Sequence, residues 1–138
     1  MVHALHEARR VLKPDGWLID LRPMAIHRRV EIWRAGIHQQ IGVMREKFDG
    51  DLAADAAVAH VLGEGSFRLE KRLKFNCNRS MDSYHEFLDW LNEIVALGGA
   101  PPHEWLAKRV ERALAEKRGR YKVVVSAPLK LQLLKKLE

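Results

Sequence analysis

Cysteine is nearly absent from this 138-residue chain, Cys77 being the only one. A single thiol excludes an intrachain disulfide and a cysteine-based zinc cluster. It fits a reducing compartment, and a cytoplasmic location is the expectation. Long apolar runs are missing too. None approaches the ~20 residues that span a bilayer, so no membrane partner is expected. The first residues, MVHALHEARR, lack the apolar stretch of a signal peptide. There is no internal repeat and no low-complexity linker. Glycine-rich nucleotide motifs are absent: the sequence contains neither G-x-G-x-x-G nor D-x-G-x-G. Gly63-Glu64-Gly65 comes nearest, but it follows a helical pattern and precedes a strand pattern. That is the wrong order for a nucleotide loop, and it reads as a helix end with a turn.

What is present is ordinary for a folded domain. Hydrophobic residues make up 47% and charged residues 30%, so a packed core is expected rather than disorder. The length suits one domain, at roughly 100–200 residues per domain. The net charge is +6, but 24 basic residues are interspersed with 18 acidic ones. Only the last third, from Lys108 to Lys136, is locally basic. No nucleic-acid signature accompanies it, so nucleic acid is not an expected partner.

Apolar spacing places the elements. Val2, Leu5, Ala8 and Leu12 recur at helical intervals. Pro14 stops that helix, and Pro14-Asp15-Gly16 makes a turn in which Gly16 is free to take a positive φ. Trp17, Leu18, Ile19 and Leu21 form a nearly unbroken apolar run. Such a run predicts a parallel strand covered on both faces. Val30–Trp33 and Ile37–Val43 flank Arg34-Ala35-Gly36 and predict a hairpin. Asp49 or Asp51 is the expected cap of the next helix, with Leu52, Ala56, Ala59 and Leu62 as its apolar stripe. Phe67, Leu69, Leu73, Phe75 and Cys77 share one parity, which predicts a strand with one wet face. Ser83 and Glu86 form a capping-box pair opening a helix with the face Phe87, Leu91, Ile94 and Val95. Gly98-Gly99 closes it. Pro101-Pro102 opens a further helix. Last, Tyr121, Val123, Val125, Ala127, Leu129, Leu131 and Leu133 fall on odd positions of a long strand, with Pro128 near a bend. The order of helices and strands defines an α/β or α+β single domain over 1–138.

The segment ALHEARRVLKPDGWLIDLRP, Ala4 to Pro23, resembles a stretch of class I S-adenosylmethionine-dependent methyltransferases. In that family a helix ending in E-x-x-RVLKPGG leads into the fifth strand of a Rossmann-like sheet. Glu7, Arg10, Val11, Leu12, Lys13, Pro14 and Gly16 match, and Asp15 replaces the first glycine of the pair. The match covers about twenty residues; the later elements agree in order. The resemblance implies an α/β fold that is a partial Rossmann-like methyltransferase sheet. It would comprise the last three strands, the final one antiparallel, with a hairpin insertion and a two-helix insertion. Tyr121–Leu133 would then lie between Trp17–Leu21 and Phe67–Cys77. The family's donor-binding motifs would precede Val2, so the chain would start partway through a sheet. No cofactor is expected for this chain alone, and S-adenosylmethionine only if an N-terminal half completes it.

Asp20, Arg22 and His27 fall at and just beyond the end of the first strand, where open α/β sheets bind ligands. The resemblance places an acceptor substrate near them. Arg22 can hold a carboxylate or phosphate, and His27 can take a proton. A local Asp20–Arg22 ion pair with a solvated His27 is the simpler alternative. Trp33, on the hairpin, can line a substrate lid, although packing is the commoner use of an aromatic. No residue is assigned a catalytic role, and no metal set is evident: His3 and His6 lack a clustered acidic or thiol ligand. Two readings follow. One is the substrate-side half of a methyltransferase-like protein, inactive in methyl transfer as an isolated chain. The other is a non-enzymatic, homodimeric module that binds a small molecule or a protein. In both, the outer edge of Trp17–Leu21 is an association site for a second copy or a complementary polypeptide.

Overall fold

The computed structural model describes residues 1–98, 100–116 and 118–138. Helix α1 (Val2–Val11) leads into strand β1 (Trp17–Pro23). The hairpin β2 (Arg29–Arg34) and β3 (Ile37–Val43) follows, then helix α2 (Asp49–Gly63) and the long strand β4 (Phe67–Met81). Helices α3 (Tyr84–Ala96) and α4 (Glu104–Ala115) precede the last strand, β5 (Lys122–Lys136). The chain is an α/β protein with one five-stranded antiparallel sheet. Its order is β1-β5-β2-β3, with β4 also paired to β5. No helix is long and apolar enough to cross a membrane among the described residues.

The residues form two compact units. The first comprises 1–25, 48–75 and 128–138, and the second 26–47 and 76–127. β4 and β5 run through both.

In the first unit β1 pairs antiparallel with the end of β5, Leu18 opposite Leu134 and Asp20 opposite Gln132. Leu5, Ala57, Val58, Val61, Phe67 and Leu134 form its core, with Leu18 and Leu69 packed against them. Helix α2 differs from the sequence expectation in two ways. Its N-cap is Phe48, with no side-chain cap bond; Asp49 and Asp51 sit inside the first turn, where their charge favours the helix dipole. Its buried face is Ala54, Ala57, Val58 and Val61, while Leu52 is exposed. Both stripes have helical spacing. The smaller side chains face inward because α2 packs on α1 and the sheet, where little room remains.

The turn into β1 also departs from expectation. Asp15, not Gly16, takes the positive φ, at 57°; an Asp adopts this region more readily than most residues. Gly16 is needed for space, since a Cβ there would lie 2.8 Å from the Lys13 carbonyl oxygen. The β1 run, expected to be parallel and covered on both faces, is instead antiparallel and covered on one. Leu18, Asp20 and Arg22 are partly buried, whereas Trp17, Ile19 and Leu21 are 48%, 64% and 54% exposed.

The one-parity reading of β4 also fails. Phe67 is buried and Leu69 half-buried, yet Leu73, Phe75 and Cys77 are exposed. Arg72 meets Gln132, and Asn78 meets Ser126. Whereas Phe67 and Leu69 pack with Leu134, these contacts put the even residues of β4 from Arg72 onward on the face of the even residues of β5. Leu73 and Phe75 therefore point away with Leu131 and Leu133. The buried positions at the end of β5 are accordingly the even Gln132 and Leu134, not the odd leucines.

In the second unit the hairpin turns through Ala35 and Gly36, at φ 46° and 78°. Two consecutive positive φ values match the right-handed strand twist. β2 pairs with the start of β5, Val30 opposite Val125 and Ile32 opposite Val123. These four valine and isoleucine side chains pack with Phe87, Trp90 and Leu91 of α3 and Leu106, Val110 and Leu114 of α4. Ser83 caps α3: its hydroxyl accepts from the Glu86 amide at 3.1 Å, and the Glu86 carboxylate accepts from the Asp82 amide at 2.9 Å. Gly98 follows α3 at φ 73°; Gly99 lies outside the described residues. α4 starts two residues after the proline pair, at Glu104 with His103 as N-cap. Gly42 of β3 lets α4 approach, since a Cβ there would lie 3.1 Å from Leu106.

The Ser83 cap should be worth about 1 kcal/mol. Ser83→Ala is expected to lower the unfolding free energy by that amount, seen as a lower urea midpoint at an unchanged slope by far-UV circular dichroism.

Candidate functional site

The four residues singled out from the sequence separate into two groups. Asp20 and Arg22 belong to the first unit, His27 and Trp33 to the second.

Strand alternation aims Asp20 and Arg22 at the face covered by α2. There Arg22 Nε and Nη2 donate to the two carboxylate oxygens of Asp20, at 2.6 and 2.8 Å, and Nη1 donates to Asp55 Oδ1 at 2.8 Å. Lys130 of β5, opposite Arg22, also donates to Asp55. Gln132 extends the set when its amide is assigned the orientation that suits both neighbours, its nitrogen donating to Asp20 Oδ2 at 3.3 Å. Its oxygen accepts from Arg72 Nη2 at 2.9 Å. The Arg22 and Asp20 side chains are only 13% and 11% exposed. Every nitrogen of Arg22 is thus engaged within the protein. The ion-pair alternative describes it, with Asp55 as an added partner. Asp20 raises the already high pKa of Arg22, against the opposing effect of burial. Burial pushes the Asp55 carboxyl up, but Lys130 and Arg22 together outweigh it and leave it below its ordinary value.

Sequence reasoning missed Asp55, Arg72 and Gln132. No local signal marks them. Asp55 is one of several acidic residues on a helix whose inward face was not evident, and Gln132 looks like a wet-face residue.

Beside this network lies a cleft of about 310 Å³ between α2 and the sheet, bordered by Arg72, Lys74, Lys130 and Gln132. The nearby Gly63-Glu64-Gly65 turn offers no amide to a phosphate or nucleotide. The amides of Glu64, Gly65 and Ser66 donate to the carbonyls of His60, Leu62 and Val61. The turn therefore does not fit a donor such as S-adenosylmethionine. Glu64 itself accepts from Ser66 and His6, which holds its carboxyl below the ordinary range, the Ser66 hydroxyl contributing most.

In the second unit His27 Nδ1 accepts from the Glu46 amide at 3.2 Å, so its lone pair is already committed. Glu46 also pairs with Arg28 at 3.0 Å. Trp33 is placed differently. Its ring stacks on His38 of the facing strand, centroids 4.0 Å apart and planes 5° from parallel. Its Nε1 donates to Glu31 at 2.8 Å. Trp33 and His38 border a cleft of about 690 Å³, shared with Arg34, Arg120, Tyr121 and Asp82. Lys122, also at its wall, reaches Asp82 at 3.7 Å. The cleft pairs aromatic faces with a surplus of positive charge. That combination suits a planar, anionic small molecule. The sequence pointed to Trp33 but not to His38, Arg120 or Tyr121, which the hairpin and the start of β5 bring alongside it.

No group of three or more His, Cys, Asp or Glu side chains converges on a common point among the described residues. No family model, curated protein or solved structure matches the chain.

The depressed Asp55 carboxyl sets a pH dependence. Its folded value lies below the ordinary 3.8. Its contribution is therefore present above that value and is lost as pH falls through the folded value. Asp55→Asn should be less stable than wild type at pH 6, and the gap should narrow below about pH 4. Urea titrations at several pH values check this; a gap independent of pH would refute it.

Proposed function

We propose that these 138 residues form the acceptor-side half of a methyltransferase-like α/β domain, and that alone they do not transfer a methyl group. One observation carries the reading. β5 pairs with both β1 and β4, and its pairing with β1 is antiparallel. That arrangement is the one implied by the resemblance of Ala4–Pro23 for the last three strands of a partial Rossmann-like sheet. The hairpin β2–β3 and the helices α3 and α4 take the places of the two insertions.

In this reading S-adenosylmethionine supplies the methyl group and is held by residues outside this stretch. The chain's own residues serve the acceptor. The cleft at Trp33, Arg34, His38 and Tyr121 seats a planar anionic molecule by stacking and charge. The Asp20–Arg22–Asp55–Lys130 set fixes β1 against α2 and β5, giving the end of β1 a rigid geometry. Proximity and orientation are the main demand of methyl transfer, and a rigid scaffold meets it.

Calorimetric titration of the chain with S-adenosylmethionine is expected to show no binding. A clear one-to-one isotherm would overturn the assignment of the donor pocket to residues outside this stretch.

A second reading, a homodimeric module, is favoured by the first unit. β1 stands at the end of the strand order, and Trp17, Ile19 and Leu21 lie open on it. Leu131 and Leu133, opposite Leu21 and Ile19 on β5, continue the same apolar face. Unpaired edges with apolar side chains favour strand addition. We propose that a second copy or a complementary polypeptide joins there. Sedimentation equilibrium should give a dimer for the wild-type chain and a monomer for Ile19→Lys. A wild-type chain that stays monomeric to about 100 μM, well above the micromolar range of modest interfaces, would count against self-association.

A further inference from the structure

We propose that the cleft between α2 and the sheet of the first unit is a binding site for an amphipathic carboxylate, its head on Lys74 and Arg72 and its apolar body against α2. The proposal is independent of the methyltransferase-like reading, which uses the cleft at Trp33.

The charge of this cleft is not balanced. Among the described residues its wall carries the cations Arg72, Lys74 and Lys130 and the single acid Asp55. Asp55 is already shared, accepting from Arg22 at 2.8 Å and from Lys130. Lys130 is committed to that pair, its side chain only 12% exposed. Arg72 and Lys74 have no carboxylate partner among the described residues. They stand two apart on β4, so strand alternation puts both on the face of Gln132, beneath α2. Gln132, in the orientation assigned above, accepts from Arg72 Nε and Nη2 at 3.2 and 2.9 Å. That contact uses one edge of the guanidinium and does not involve Nη1. Both residues are exposed, and long basic side chains keep their charged ends in water while their stems lie on the protein. Their charges therefore meet solvent at the mouth of the cleft, within reach of a ligand head. One donor from each suits the two oxygens of a carboxylate.

The deeper wall is apolar. Met24, Val58 and Leu62 line it, Val58 buried and the other two half-buried. Ala59 of α2 lines it too, and its single methyl leaves the space open. The cleft measures about 310 Å³, roughly double the volume that benzene fills in an apolar cavity. A medium-length alkyl chain or an aryl group has room there. A wholly polar anion would leave the apolar wall wet, and a neutral hydrocarbon would leave the two cations unpaired. A carboxylate with an apolar chain satisfies both, the pattern of an apolar pocket oriented by a few polar groups.

The test titrates the full chain, carrying 13C-labelled methionine methyls, with octanoate, 1-octanol and acetate. Octanoate is expected to shift the Met24 methyl and to leave Met44 and Met81, in the core of the second unit, unmoved. It should bind about tenfold more tightly than either 1-octanol or acetate, because it alone engages both the cations and the apolar wall. Lys74→Met should weaken octanoate about tenfold and leave 1-octanol unchanged. Ala59→Phe, which fills the cleft, should abolish octanoate binding while the far-UV spectrum is kept. An unmoved Met24 methyl at saturating octanoate, an octanoate affinity no greater than that of 1-octanol or acetate, or an octanoate affinity that Lys74→Met leaves unchanged would overturn the proposal. So would octanoate that perturbs the Trp17 indole and not Met24, which would place it on the open apolar face instead. The wild-type series decides the matter even if a variant fails to fold.

Discussion

The pairing of β5 is the constraint on which the rest of the structure depends. Its last residues take β1 as an antiparallel neighbour, and its first residues take β2. β4 is paired to it as well. A strand so engaged must satisfy its amides on every side, and Pro128 is the one residue with no amide to give. There the carbonyl still contributes, accepting from the Met24 amide at 2.9 Å. Because the residues of β5 belong to both units, each core is anchored on it. Leu134 anchors the first core, and Val123 and Val125 the second.

The two cores are built by different means. In the second unit, aromatic and branched side chains of α3 and α4 meet valines and isoleucines of β2 and β5, an arrangement dominated by apolar burial. In the first unit the small face of α2 lies over a sheet surface that is apolar at one end and charged at the other. Leu18 and Leu134 give way along the strands to Asp20, Gln132, Arg22 and Lys130. Charges so little exposed are costly to desolvate and are tolerable only when mutually paired. The pairing of Asp20, Arg22, Asp55 and Lys130 meets that demand. It also accounts for the most suggestive acid and base of the sequence as parts of the scaffold.

The proposed sites lie where satisfaction is incomplete. The cleft at Trp33 gathers Arg34, Arg120 and Lys122 around one acid, Asp82. The outer face of the first unit leaves Trp17, Ile19 and Leu21 in water. The buried His103 Nδ1 has no hydrogen-bond partner. Each is an exception to the rules the remainder of the chain obeys, and the proposed function is placed on the first two. The acceptor-side reading assigns the first to a small molecule, and the second reading assigns the second to another polypeptide.

By itself the sequence determined the elements. Pro14, the Ala35-Gly36 turn, Ser83 with Glu86 and Gly98 act on their immediate neighbours, so their effect is local and legible. The period of the apolar residues fixed helix and strand in nearly every segment, and it drew attention to Trp33. What it left open was which face of an element is buried. Ala54, Ala57, Val58 and Val61 compete on α2 with an equally regular stripe that contains Leu52, and the odd leucines of β5 look more like a core than Gln132 and Leu134 do. Only the tertiary structure decided these cases. Burial depends on the space and the partners that other elements bring, and those partners lie tens of residues away: Asp55 for Arg22, Arg72 for Gln132, Arg45 for His103.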